Sequence, residues 1–209
     1  MKVLMLIISS DTEPVYAEHR KVWSSYMNSN PQIECYFIQY RDGPQTIEGN
    51  TFWLTGTESF PGILTKTLDS LEYFLKNDYD FIVRTNMSSL WNFDVLLKYL
   101  ETLPPKNVYN GIIGNQYGIL FVSGCGFIMS PDVAKLLLKN RQIAESVGIM
   151  DDVDIGYTLH KLGVPFTWGR RNNECVFDKD TYHYRLRIAD RHLEGGIMKS
   201  IYDSIIKQL

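Results

Sequence analysis

The sequence holds little with which to ligate a metal or staple a fold: 209 residues carry only three cysteines and four histidines. Cys35, Cys125 and Cys175 are odd in number, far apart and without metal-ligand spacing. That excludes a disulfide framework or a cysteine-rich zinc site, and reads as reduced, mostly buried thiols in a cytoplasmic protein. Also missing is any apolar run long enough to cross a bilayer. The opening KVLMLIISS has too short an apolar run for a signal peptide. Its Ser9-Ser10-Asp11 end is no small-residue cleavage site either, so it reads as a buried strand. A basic excess is lacking too: 21 Lys and Arg face 24 Asp and Glu, a net charge of -3. Duplex nucleic acid is thereby excluded as the main partner, although a local basic pocket for one small anion is not. No G-x-G-x-x-G follows the first apolar run, which weighs against a dinucleotide-binding oxidoreductase. Repeats, low-complexity segments and linkers are absent. The chain reads as one domain over residues 1–209, whether alone or as a piece of a longer protein.

What is present is an ordinary globular composition, 44% hydrophobic and 22% charged, with the makings of a sizeable core. VLMLII is a continuous apolar run of the kind buried on both faces of a sheet. YAEHRKVWSSYM has helical spacing, and IECYFIQY and TFWLTG read as strands around an Arg41-Asp42-Gly43-Pro44 turn. GILTKTLDSLEYFLKN is an amphipathic helix, DFIVRTN a buried strand and FDVLLKYLETL a helix stopped by Pro104-Pro105. NGIIGN and ILFVSGCGFIMS follow as strands. SPDVAKLLLKNR is a helix with Ser130 as N-cap, and DDVDIGYTLHKLG a helix with acids at its start and Gly163 at its end. PFTWGRR and TYHYRLR close the sheet region before a last helix, EGGIMKSIYDSIIKQL. Strands alternating with helices predict an α/β fold, a mixed, mostly parallel sheet flanked by helices.

Ligands of open α/β sheets bind beyond the carboxyl ends of the strands. The residues there are Ser9-Ser10-Asp11, Arg84 to Ser88, Ser123 to Gly126 and Asp151-Asp152. The DDVD run has two readings, acids that suit a helix dipole, or a carboxylate at Asp152 kept usable as a base by a like-charged neighbour and partial desolvation. SGCG is either a bulge or a place where backbone approaches a ligand closely.

Five motifs in order resemble those of GT-A glycosyltransferases, most nearly the β-1,3-galactosyltransferase and Fringe-type group. His19-Arg20-Lys21-Val22-Trp23 is similar to an early I-R-x-T-W pattern, and ESFPGILTKT to D-x-Y-x-N-L-T-x-K-T, with Phe60, Lys66 and Thr67 in step. RTNMSSLWN falls on the metal strand K-T-D-D-D-x-F-x-N, keeping Thr85 and Asn92. FVSGCGFIMS matches Y-x-x-G-x-G-Y-V-L-S, and Asp151-Asp152-Val153-Asp154-Ile155-Gly156 matches E-D-V-x-x-G. In size and likeness the chain also resembles glycosyltransferases encoded by chlorella viruses, which glycosylate their capsid protein; a viral protein would act in the host cytoplasm.

The resemblance implies transfer of a hexose from a UDP-sugar to an acceptor hydroxyl of a glycan or glycoprotein. It implies Asp152 as catalytic base with Asp151 beside it, and Ser9, Ser10 and Asp11 at the uridine. Arg20 and Lys66 would meet the donor phosphates. Arg84, Thr85, Asn86 and Ser88 would lie under the ribose and sugar, and Gly124 and Cys125 would form the glycine joint against the donor. Mn²⁺ or Mg²⁺ is the implied cofactor. Here the chain departs from the pattern, because Asn86, Met87 and Ser88 stand where the family has three acids. These hard cations favour oxygen ligands, so Ser88 and the late His183 are the candidate metal ligands. His183 reads equally as a hydrogen-bonded strand histidine, and Lys66, Arg84, Arg185 and Arg187 as cations replacing some of the metal's charge. Asp78-Tyr79-Asp80 fits D-x-D but precedes its strand, at the end away from the pocket. The missing acids leave a second reading open, a GT-A-like module that binds nucleotide or glycan without catalysis.

Overall fold

The computed structural model describes residues 1–59 and 62–207; Phe60, one of the matched positions above, lies outside them. The chain runs β1 (Val3–Ile8), α1 (Pro14–Tyr26), β2 (Ile33–Arg41), β3 (Thr46–Glu48), β4 (Thr51–Thr55), α2 (Gly62–Phe74), β5 (Phe81–Asn86) and β6 (Ser89–Trp91). It continues through α3 (Phe93–Leu100), β7 (Tyr109–Gln116), β8 (Ile119–Met129), α4 (Pro131–Lys139), α5 (Arg141–Val147) and α6 (Asp151–Lys161). The last elements are β9 (Thr167–Trp168), β10 (His183–Arg185) and α7 (Glu194–Ile206).

Eight strands form one sheet in the order β3-β4-β2-β1-β5-β8-β7-β9. The centre, β4-β2-β1-β5, is parallel, and β8 lies antiparallel to β5. With helices on both faces this is a GT-A-like arrangement, as the sequence predicts. A run such as VLMLII can sit only in the middle of such a sheet, where both faces are covered. All six β1 side chains are buried: Val3, Met5 and Ile7 face a core completed by α1, α3 and α7, while Leu4, Leu6 and Ile8 face one completed by α2, α4 and α6. β1, β2 and β5 run in register, so Ile8, Ile38 and Asn86 reach the same edge together. Asp80 lies at the opposite edge, accepting the backbone N–H of Lys2 at 2.6 Å. Asp78-Tyr79-Asp80 is therefore on the far side of the sheet from the strand ends where a ligand binds.

Three elements escape the sequence reading: β3, β6 and α5. TYHYRLR also differs, since β10 pairs with β6 in a separate two-stranded sheet rather than joining the main one. That small sheet carries the segment after Tyr182 across the end of β5. On the outer side α7 packs on α1, burying His19 against Glu194, with Nε2 and Oε2 3.3 Å apart. Burial, then the charge of Arg191, pushes His19 down to about 4, so this contact is not an ion pair at neutral pH. Arg191 is the partner of Glu194 instead, at 3.2 Å.

Among the described residues no helix is long and apolar enough to cross a membrane. The three thiols are free; Cys35 is fully buried, and Cys125 and Cys175 are partly buried.

Candidate active site

A cavity of about 620 Å³ opens at the carboxyl edge of β1 and β5. Its walls come from the loop after β1, the start of α2, the β5–β6 turn, the middle of β8, the start of α6 and the segment after β10. Ser9, Ser10, Lys66, Arg84, Asn86, Ser88, Gly124, Cys125, Asp151 and Asp152 all line it. Residues from positions 9 to 152 are thus brought to one place by the register of the central strands.

The acids at the start of α6 face the cavity because α6 lies unusually close to β8. Gly156 makes this possible, since a Cβ there would stand 2.5 Å from the Phe121 Cβ and 2.8 Å from the Leu120 carbonyl oxygen. One turn earlier, Asp152 Oδ2 accepts the Gly124 N–H at 2.7 Å and Oδ1 the Val153 N–H at 3.0 Å. A Cβ on Gly124 would meet Arg84 Nη1 at 2.7 Å and Asp152 Cβ at 3.1 Å. The glycine joint therefore admits Asp152 and Arg84 themselves. Burial, and then the charge of Asp151, raises the Asp152 pKa above the usual carboxylate range. Asp151 accepts from Arg84 Nη2 at 2.5 Å, while Arg84 Nη1 donates to the Gly124 carbonyl. Asp154 turns away and caps the helix through the Ile149 and Met150 N–H groups.

Not every expected residue opens onto the cavity. Arg20 does not face the cavity. Its guanidinium stacks over Phe37, with the centroid 4.2 Å away, and donates to Gln39 at 2.5 Å, Ser9 at 3.3 Å and Thr51 at 3.3 Å, bracing the ends of β1 and β2. Its Nη1 and Nη2 donors are thus taken up by the sheet edge. Asp11 is exposed and is not part of the cavity wall, where Ser10 and Thr12 stand instead. Thr85 is fully buried between the Cys125 carbonyl and Trp91 Nε1. Lys66 lines the cavity as expected, yet its ammonium is bound to Glu58 at 2.5 Å and to the Ser9 carbonyl at 2.7 Å.

His183 is corrected most clearly. It is 2% exposed, stacked on Trp91 with centroids 4.1 Å apart, and its Nε2 meets Ser89 Oγ at 3.2 Å. It is not in the cavity wall, and burial followed by the charges of Arg171 and Arg185 holds it neutral, far below the ordinary imidazole range. Ser88, the other expected ligand, faces the cavity, but its Oγ accepts from Arg185 Nη1. The same nitrogen lies 3.3 Å from Asn86 Oδ1 and 3.3 Å from the Ser88 carbonyl. A guanidinium thus holds the oxygens that would have met Mn²⁺ or Mg²⁺. Among the described residues no three His, Cys, Asp or Glu side chains are grouped so as to hold a metal ion. The residues present do not fit a protein-held divalent cation.

Glu58 was missed, although the rule of looking just beyond each strand finds it after β4. Glu13 and Tyr16, from the turn into α1, were missed because nothing in a helix start marks a cavity wall. Trp23, in the early matched motif, donates its indole N–H to the Met87 carbonyl at 3.1 Å and so fixes the β5–β6 turn from below.

The sequence matches no protein-family model and no curated protein. The fold is similar to that in a crystal structure of a glycosyltransferase involved in the glycosylation of the major capsid of PBCV-1. The TM-score is 0.54 at 10% identity, over 95% of this chain and all of that one. At that identity the likeness is one of fold.

Proposed function

We propose that this protein is a glycosyltransferase moving a hexose from a UDP-sugar to a hydroxyl of a glycan or glycoprotein acceptor in the cytoplasm. One observation carries the reading: a single cavity holds a carboxylate with raised pKa, Asp152, and two arginines without carboxylate partners among the described residues, Arg185 and Arg187. A base and a cationic site for a leaving diphosphate are the two charges that such a transfer requires.

In an inverting displacement the acceptor oxygen forms a bond to the anomeric carbon while the bond from that carbon to the β-phosphate oxygen breaks. The acceptor proton passes to Asp152, and the bonding electron pair leaves with UDP. Partial desolvation makes Asp152 a stronger base than a free aspartate, and the Gly124 and Val153 N–H groups fix its orientation. The loop from Ser9 to Thr12 is assigned to the uridine and the Arg84–Asp151 pair to the sugar side of the cavity. A capsid-type glycoprotein acceptor follows the likeness to the viral enzyme.

The test measures release of nucleoside diphosphate from UDP-glucose, UDP-galactose, UDP-rhamnose and GDP-mannose, by the wild type and by Asp152→Asn. UDP release by the wild type and a loss of about 10²–10⁴-fold in the variant, with UDP affinity nearly unchanged, is the expected result. Full activity of Asp152→Asn removes Asp152 from the role. UDP binding without turnover of any donor, across a panel of glycan acceptors, makes the domain a non-catalytic binding module.

A further inference from the structure

We infer that the donor diphosphate is bound without a metal ion, its charge met by the guanidinium of Arg185, which Asn86 and Ser88 fix in place, and by Arg187. The inference rests on the proposed function and says how that same site handles the leaving group.

The first observation is an accounting of charge. Four carboxylates and four cations line the cavity: Glu13, Glu58, Asp151 and Asp152, against Lys66, Arg84, Arg185 and Arg187. Lys66 is neutralised by Glu58 and Arg84 by Asp151, while Glu13 pairs with Arg191 outside the cavity wall. Among the described residues, Asp152, Arg185 and Arg187 are what remains. A cavity with two uncompensated arginines selects an anionic ligand, and one carboxylate cannot satisfy both.

The second is the direction of the Arg185 donors. Every protein hydrogen bond of its guanidinium leaves from Nη1. Nε and Nη2 have no protein partner among the described residues, yet neither is among the buried, unsatisfied atoms. They are presented to solvent while the other edge of the group is pinned. A planar fork held on one side and open on the other suits two oxygens of a phosphate. Arg187 follows just past the end of β10, lines the same cavity and is exposed.

The third is the mutual repulsion in the cluster. Burial lowers the Arg185 pKa, and the nearby Arg187 and Arg171 lower it further. A bound dianion relieves that repulsion, whereas a divalent cation at Asn86 and Ser88 adds to it.

The replacement of three acids by Asn86, Met87 and Ser88 then has a physical reason. Carboxylates at these positions would neutralise Arg185, whereas neutral oxygens position the guanidinium and leave its charge for the ligand.

Isothermal titration of UDP into the whole chain, in EDTA and again with Mn²⁺, tests this. Binding in EDTA is expected, with an affinity that Mn²⁺ changes by less than about threefold. In EDTA, Arg185→Met is expected to weaken UDP by about tenfold or more, the scale of one lost charge-assisted bond pair. Arg187→Met, an exposed position whose loss leaves the core intact, should weaken it by a factor of about three or more, as expected for a single solvent-facing ionic contact. UDP binding that requires Mn²⁺, or binding in EDTA that neither substitution weakens, overturns the inference and leaves the proposed transferase standing. Failure of UDP, GDP, CDP and ADP to bind in either buffer overturns both.

Discussion

Asp152 must be deprotonated to accept a proton, yet burial and Asp151 both favour its protonated form. Because its pKa is raised, the rate should fall as the pH drops through a value above that of an ordinary aspartate. Substituting Asp151→Asn removes the like charge that helps to raise it, and frees Arg84 to stabilise the Asp152 carboxylate. The acid limb of the kcat/KM profile is therefore expected to move to lower pH in that variant; a shift to higher pH, or none, contradicts the assignment. The place of Asp151 and Asp152 in the cavity wall was legible in the sequence as a pair of acids opening a helix where the strand ends converge, and of the acids there Asp154 is the one that caps. The cations were legible in position and not in pairing. Lys66 and Arg84 line the cavity and Arg20 lies beside it at the sheet edge, but sequence does not show which acceptors their donors have taken. Gln39, Glu58 and the Gly124 carbonyl, which take them, come from distant parts of the chain. His183 failed for the same reason: its partners Trp91 and Ser89 lie on a strand too short to announce itself.

At the scale of elements, the position of Asp152 depends on how closely α6 approaches β8. Gly156 sets that distance through backbone as well as side-chain contacts, so an added methyl cannot be absorbed by a rotamer change. Gly156→Ala should cost about 1–3 kcal/mol in urea unfolding, the usual penalty for overpacking. A variant as stable as the wild type would show that the two elements separate freely. The long elements were legible because their patterns are clear: β1 as an unbroken apolar run, β5 as a short one ending at Arg84, α2 as an amphipathic helix and α4 by its Ser130-Pro131 start. β3 and β6 span three residues each, too few for alternation to register, and α5 begins directly after Asn140 ends α4. β10 was seen as a strand but assigned to the main sheet, since sequence pattern fixes a strand's faces and not its neighbour.

On the scale of the whole molecule, charge is distributed by cancellation. The net charge of -3 conceals a cavity in which two ion pairs neutralise themselves and leave two arginines facing one carboxylate. The fold was legible because register in a parallel sheet brings the ends of β1, β2 and β5 to one edge, and ligands of such sheets bind there. The balance of charge at that edge was not, because it depends on pairings across the fold. The most direct test of the central claim, that this edge is a nucleotide-sugar site, is amide hydrogen exchange with and without saturating UDP-glucose. Slowed exchange is predicted in the segments around residues 8–12, 84–88, 123–125, 150–152 and 185–188, with the far edge around residues 78–80 unchanged. Protection confined to other surfaces, or no protection at saturation, would contradict it.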